Sequence, residues 1–241
     1  MIWKTALYYA RFGLVLALVS GQLTEEQKKT ILNLHNMYRS IVNPPAADML
    51  RMTWDDGLAL VAAGYAAQCI WEHNPDVKNE LGENLFITTG TLNVNKSIDK
   101  WFDEQEHYNY ESNICEVWIC GHYTQVVWAK SNNVGCASHL CGTVKNLAYK
   151  NSTILVCNYS PPGNVVGRRP YAKGAPCSNC PEKAVECIEN LCTPTDNTTD
   201  EYYMGTHPTE TPLTRAVSSA GFTKLSAATL LLTALTVTFI L

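Results

Sequence analysis

Several sequence signatures that announce an enzyme are missing from these 241 residues. There is no His-Glu-x-x-His, no Gly-x-Ser-x-Gly, no P-loop and no Gly-x-Gly-x-x-Gly. These absences remove the common metalloprotease, serine-hydrolase, nucleotide and dinucleotide fingerprints. Basic charge is also short: 18 Lys+Arg face 22 Asp+Glu, a formal net charge of −4. That balance speaks against a nucleic-acid partner. With 46% apolar and 17% charged residues the chain is neither wholly disordered nor an all-membrane protein. No internal repeat is visible. Cysteine, by contrast, is abundant. Ten are present, too many for a typical cytosolic enzyme and too few for a knottin-like scaffold.

The two ends differ from the middle. Residues 1–21 read as a signal peptide: Lys4 and Arg11 supply positive charge, residues 12–19 are apolar, and Val19 and Gly21 are small at the cut before Gln22. A second apolar run covers 225–241, preceded by Ser218, Ser219, Ala220, Gly221 and a short polar spacer. Small site, spacer and apolar tail predict a GPI-attachment signal over 219–241, with a C-terminal membrane helix as the alternative. Between residues 22 and 219 acidic residues outnumber basic ones 22 to 15, a net charge of −7. An anionic membrane surface is therefore a poor partner, and any attachment must come from the tail.

Thr24 and Gln27 form a capping-box pattern. It predicts a helix over 25–41 with Ile31, Leu34, Met37, Tyr38 and Ile41 inward, ended by Asn43-Pro44-Pro45. Asp55 or Asp56 caps a second helix carrying Leu58, Val61, Ala62, Tyr65, Ala66 and Cys69. A third is predicted over 97–106, with Ile98, Trp101 and Phe102 inward, and a short fourth near His122. Residues 132–140 and 153–159, rich in β-branched and cysteine residues, read as strands joined by a loop over 146–151. Helices first and strands afterwards give the α+β class. From Cys177 a small module follows, Cys177-x2-Cys180-x6-Cys187-x4-Cys192, and then a Thr/Pro-rich stalk over 194–218.

The secretory reading makes disulfides the default for all ten cysteines, and spacing alone does not choose their pairing. Zinc in the last four is the competing reading, opposed by loss of thiolates on oxidation. Sequons occur at Asn95, Asn151 and Asn197. A fourth, at Asn158, falls in a predicted core strand where a glycan has no room.

Chemistry, if present, lies in His and Glu residues set among aromatics. His73 follows the second helix, Glu83 sits in the turn-like Gly82-Glu83-Asn84, Glu104 follows Trp101 by three residues, and His122 opens His122-Tyr123-Thr124-Gln125. Two imidazoles and two carboxylates in one cleft can bind a divalent metal or perform acid/base work. Taken singly, each has an ordinary reading as a cap or a hydrogen-bonded turn residue. His107 follows Glu104 by three residues, and His35 reads as a hydrogen-bonded core histidine.

At these residues the sequence resembles a known family. Residues 121–128, Gly-His-Tyr-Thr-Gln-Val-Val-Trp, and 155–164, Leu-Val-Cys-Asn-Tyr-Ser-Pro-Pro-Gly-Asn, look like the two signature stretches of the CAP superfamily of cysteine-rich secretory, antigen 5 and pathogenesis-related 1 proteins. Leu34-His35-Asn36-Met37-Tyr38-Arg39 and Gly82-Glu83-Asn84-Leu85 support the match, which covers roughly 24–192. Within the family the likeness is to the peptidase-inhibitor branch, near the glioma pathogenesis-related proteins.

The resemblance implies an α-β-α sandwich with a central three-stranded antiparallel sheet over 22–170, and a hinge module over 171–193. It implies pairs Cys69–Cys141, Cys115–Cys120, Cys136–Cys157, Cys177–Cys187 and Cys180–Cys192. It implies a cleft tetrad of His73, Glu83, Glu104 and His122, with weak zinc binding at His73 and His122. The expectation is an extracellular, membrane-anchored binding or regulatory module, peptidase inhibition included, rather than an enzyme. Its partner would be an extracellular protein or a lipid. A metal-assisted hydrolase using the cleft, or sterol/lipid carriage, are the alternatives.

Overall fold

The computed structural model describes residues 23–195, Trp118 excepted. The expected signal peptide, stalk and C-terminal attachment segment, and Asn197, lie outside the described residues.

Helix α1 spans Glu25–Ser40 and opens with the expected capping box: Thr24 Oγ1 accepts from the Gln27 amide at 3.1 Å, and Gln27 Oε1 accepts from the Thr24 amide at 2.9 Å. Its inner face differs from the apolar stripe expected. Ile31, Leu32, His35, Asn36 and Arg39 are buried, whereas Met37 and Ile41 are exposed. Polar groups can occupy this face because each finds a partner there. The Arg39 guanidinium donates to the carbonyls of Leu50, Val126, Trp128 and Ala129. Asn36 exchanges two hydrogen bonds with the Met52 backbone. Helix α2 spans Asp56–Ala66, capped by the Asp55 carboxylate on the Leu58 amide. Helix α3 spans Val94–Asp103, three residues earlier than expected because Asn93 is its cap. A 3-10 turn, Glu104–His107, continues it. Helix α4 is Gly121–Val126.

The sheet corrects three expectations. Strand β1 (Thr53–Trp54) and strand β2 (Gly82–Thr89) join β5 (Asn133–Thr143) and β6 (Lys150–Ser160) in the order β1-β5-β6-β2. Strands β2, β5 and β6 are antiparallel and β1 is parallel to β5, so the sheet is four-stranded and mixed. Gly82-Glu83-Asn84 starts a strand and is not a turn. Asn151 lies in β6, not in a loop. Two short hairpins complete the described part: β3 (Tyr108–Asn109) with β4 (Ile114–Cys115), and β7 (Glu186–Ile188) with β8 (Leu191–Thr193).

Residues alternate between the two sheet faces. Val134, Cys136, Leu155, Cys157 and Tyr159 join the core under α1, α3 and α4. Ala137, Cys141, Ile154, Val156 and Leu85 join the smaller core under α2. Close approach of α2 requires Gly135: a Cβ there would lie 2.3 Å from the Ala59 nitrogen and the Asp55 oxygen. Five disulfides connect Cys69–Cys141, Cys115–Cys120, Cys136–Cys157, Cys177–Cys187 and Cys180–Cys192. The cysteine-rich hinge is not a separate appendage. Leu191 is fully buried in the larger core, and Cys192 bonds through its backbone to Met49 and Arg51.

Candidate functional site

The four His and Glu residues come together as two pairs rather than one cluster. His73 Nδ1 lies 2.9 Å from Glu83 Oε1, and the same oxygen accepts the Asn74 amide at 2.9 Å. His122 Nδ1 lies 2.6 Å from Glu104 Oε1, while Glu104 Oε2 accepts the amides of His122 at 3.0 Å and Tyr123 at 3.1 Å. The two pairs share one design. A carboxylate fixes a histidine by its ring and by a nearby backbone amide at once.

Local structure explains each position. Cys120, the residue before α4, makes no side-chain cap. Glu104, from the 3-10 turn after α3, takes that role and satisfies amides at the helix start. Glu83 projects from edge strand β2 toward the α2 face, and its side chain is 5% exposed. The neighbouring Asn84 projects to the other face and donates to the His122 carbonyl at 3.1 Å and to the Tyr159 hydroxyl at 3.3 Å. Adjacent residues of one strand therefore hold one pair each. Trp101 Nε1 donates to the Leu85 carbonyl at 3.1 Å, and its indole stacks at 6.0 Å on the His122 ring.

A carboxylate accepts only, so both imidazoles carry their proton on Nδ1 and turn Nε2 away from the partner. The hydrogen bond to Glu83 raises the His73 pKa above the usual histidine value, against the opposing effect of burial. The His73 ring is 68% exposed and the His122 ring 31%. The imidazoles are thus the presented groups and the carboxylates their supports.

Other residues bind the site to the fold. Gln125 is buried, accepts the Gly163 amide at 3.0 Å and donates to Ser131 at 3.2 Å, which ties the two signature stretches together. A Cβ on Gly82 would lie 2.1 Å from Gln125 Oε1. Asn84, Gln125 and Tyr159 lie inside the motifs quoted above, but nothing in their spacing gave them these roles. His107 stands exposed at the end of the 3-10 turn, outside both pairs. A groove lined by Tyr108, Gly121, Thr124, Trp128 and Asn164 runs along α4 and includes none of the four paired residues.

The family model for the cysteine-rich secretory protein family matches residues 32–159, which contain both pairs and, but for Ser160 at the end of β6, every strand of the main sheet. The chain belongs to this family. Peptidase inhibitor 16 of Homo sapiens is 45% identical over 202 residues, covering 83% of this chain and 43% of the relative. The chain thus spans less than half the length of that relative. Peptidase inhibitor 15 of Homo sapiens is 39% identical over 186 residues, covering 71% of this chain and 72% of the relative. Among solved structures, one described as "Crystal structure of NaASP2 with Zn2+" is 28% identical with a TM-score of 0.57, covering 71% of this chain and 97% of that one. Five disulfides in a member of a secretory family mark it as an extracellular protein.

The donor sets for a metal differ sharply in chemistry. Among the described residues, Cys177, Cys180 and Cys192 are the one group of three or more His, Cys, Asp or Glu ligand atoms lying within 4.8 Å of one another. All three sulfurs are in disulfides, so they offer no thiolate and do not fit zinc. His73 and His122 fit better in chemistry, each with Nδ1 on a carboxylate and Nε2 turned outward. With both carboxylates occupied, they supply only two protein ligands. The four residues do not form a chelate of three.

Proposed function

We propose that this member of the cysteine-rich secretory protein family is a surface-tethered, non-enzymatic binding module, and that its paired histidines form part of the contact surface. The engagement of the carboxylates carries this reading. Glu104 spends both oxygens on three protein hydrogen bonds, and Glu83 spends Oε1 on two while Oε2 is buried. Neither carboxylate presents an oxygen to act as base or nucleophile. No free cysteine is present to serve instead. The C-terminal signal read from the sequence supports tethering. The relatives compared above bear inhibitor names, which supports peptidase inhibition as the specific form of binding.

Zinc binding at His73 and His122 is a secondary feature of the same surface. When bound, the ion would supply a positive charge with open positions for a partner's carboxylate. Calorimetric zinc titration tests it, comparing wild type with the His73→Ala/His122→Ala double variant. Binding that persists in the double variant removes the site. Stoichiometric inhibition by the purified ectodomain in a protease panel supports the inhibitor form, and inhibition of none removes it.

A further inference from the structure

The two His–Glu pairs differ in one respect. Glu104 has both carboxylate oxygens satisfied, whereas Glu83 Oε2 is buried with no protein partner. Directly across the strand pair stands Asn158, fully buried, with neither Nδ2 nor Oδ1 partnered. Paired positions on neighbouring antiparallel strands place side chains on the same face, with Cβ atoms about 4.5–5.5 Å apart. On its other side Asn158 pairs with Gly135, which has no side chain and lies under the first turn of α2. Three buried, unpartnered polar atoms thus belong to one cross-strand pair, on the sheet face that α2 covers. One of them belongs to a carboxylate. Leaving such atoms dry is costly because their desolvation goes uncompensated, whereas buried waters ordinarily satisfy groups of this kind.

We infer that Glu83 Oε2 and the Asn158 amide enclose a buried water site, and that Asn158 is a positioning residue for His73. The water donates to Glu83 Oε2 and accepts from Asn158 Nδ2, and a second water donates to Asn158 Oδ1. The carboxylate is then held at both oxygens, as Glu104 is by protein alone. Asn158 acts on His73 only through Glu83. This explains why an Asn-x-Ser sequon lies in a core strand: the amide serves the interior, and Asn158 is inaccessible to a glycan. The inference concerns the support of the histidine and stands whatever the histidine binds.

The test uses the full chain. In wild type, the Asn158 amide protons show negative-sign cross-relaxation with long-lived water, and a high-resolution crystal structure shows density bridging Glu83 and Asn158. A dry contact, with Asn158 Nδ2 bonded directly to Glu83 Oε2, overturns the water site. In Asn158→Leu, exchange of the His73 Nδ1 proton accelerates about tenfold, the loss of about one hydrogen bond's worth of order. In Asn158→Ser, which keeps a donor and makes room for water, protection returns toward wild type. Unchanged protection in folded Asn158→Leu, or equal loss in the serine variant, overturns the positioning role. If the leucine variant does not fold, the wild-type water signal and the serine variant decide.

Discussion

The Tyr159 hydroxyl donates to Nε2 of His35 at 2.9 Å, in the core beneath the site. His35 Nδ1 donates to the Ile31 carbonyl at 2.7 Å, which fixes the neutral tautomer and leaves Nε2 as the acceptor. Burial lowers the His35 pKa to about 4. Between pH 6.5 and 4 the unfolded chain binds a proton that the folded chain refuses. The contribution is fully present above pH 6.5 and is lost as pH falls toward 4, by at most about 3 kcal/mol. Urea unfolding at a series of pH values should show this decline, and His35→Gln should flatten it. His73 acts in the opposite direction: its raised pKa favours the fold below pH 6.5, and that gain fades as pH rises.

Removing Arg39 should cost more than any surface change. The residue is 1% exposed and its guanidinium serves four backbone carbonyls, of Leu50 and of Val126, Trp128 and Ala129 at and after the end of α4. Arg39→Met leaves several buried acceptors unpaired and should lose about 3 kcal/mol or more. Arg39→Lys keeps the charge but cannot form the same planar fork, and should recover only part of the loss. Denaturant midpoints of both variants against wild type measure this.

Leu191→Ala should destabilise the main domain by about 2–5 kcal/mol, although the residue lies in the cysteine-rich hinge. Its side chain is fully buried in the larger core. A midpoint equal to wild type would show that the hinge folds apart from the core.

Glu104→Gln should loosen α4 as well as His122. One amide oxygen cannot accept all three hydrogen bonds that the carboxylate accepts. The expected loss is about 1–3 kcal/mol, with faster amide exchange at His122 and Tyr123. Any zinc affinity should fall about tenfold or more. Unaltered exchange at these two amides would contradict the capping role.

Gly135→Ala should displace α2 or prevent folding, since the added methyl meets helix backbone rather than a movable side chain. Circular dichroism and secretion yield would report it.

The starts of α1 and α2 were readable because caps are local, whereas the Asn93 cap of α3 was not singled out. Thr24 with Gln27, and Asp55, act within three residues of themselves. Strand β2 was not readable. Its Leu85, Phe86 and Ile87 face both covered sides of the sheet, so no two-residue alternation marks it. The inner face of α1 was misjudged for a related reason. Arg39 and Asn36 look like solvent-facing residues until carbonyls from residues 50, 52 and 126–129 arrive to meet them. The α+β class followed from element order, whereas the fourth strand depends on the two-residue β1, too short to carry a pattern. At the site, His73, Glu83, Glu104 and His122 stood out as His and Glu residues among aromatics, the resemblance joined them in one cleft, and their division into two pairs is a tertiary outcome that spacing does not encode.

Glu83 and Asn84 reach opposite faces because they are consecutive on one strand, and this has a consequence for how the chain matures. Strand β2 meets β6 across some seventy residues of sequence, so the contact is of the kind that loop-closure entropy delays. A slip of one residue would exchange the two side chains, stripping His73 of its carboxylate and His122 of the Asn84 contact to its carbonyl. The His73–Glu83 pair therefore exists only after β2 has met β6 in register. A binder that recognises His73 in this fixed orientation would distinguish finished molecules from misregistered ones leaving the secretory pathway.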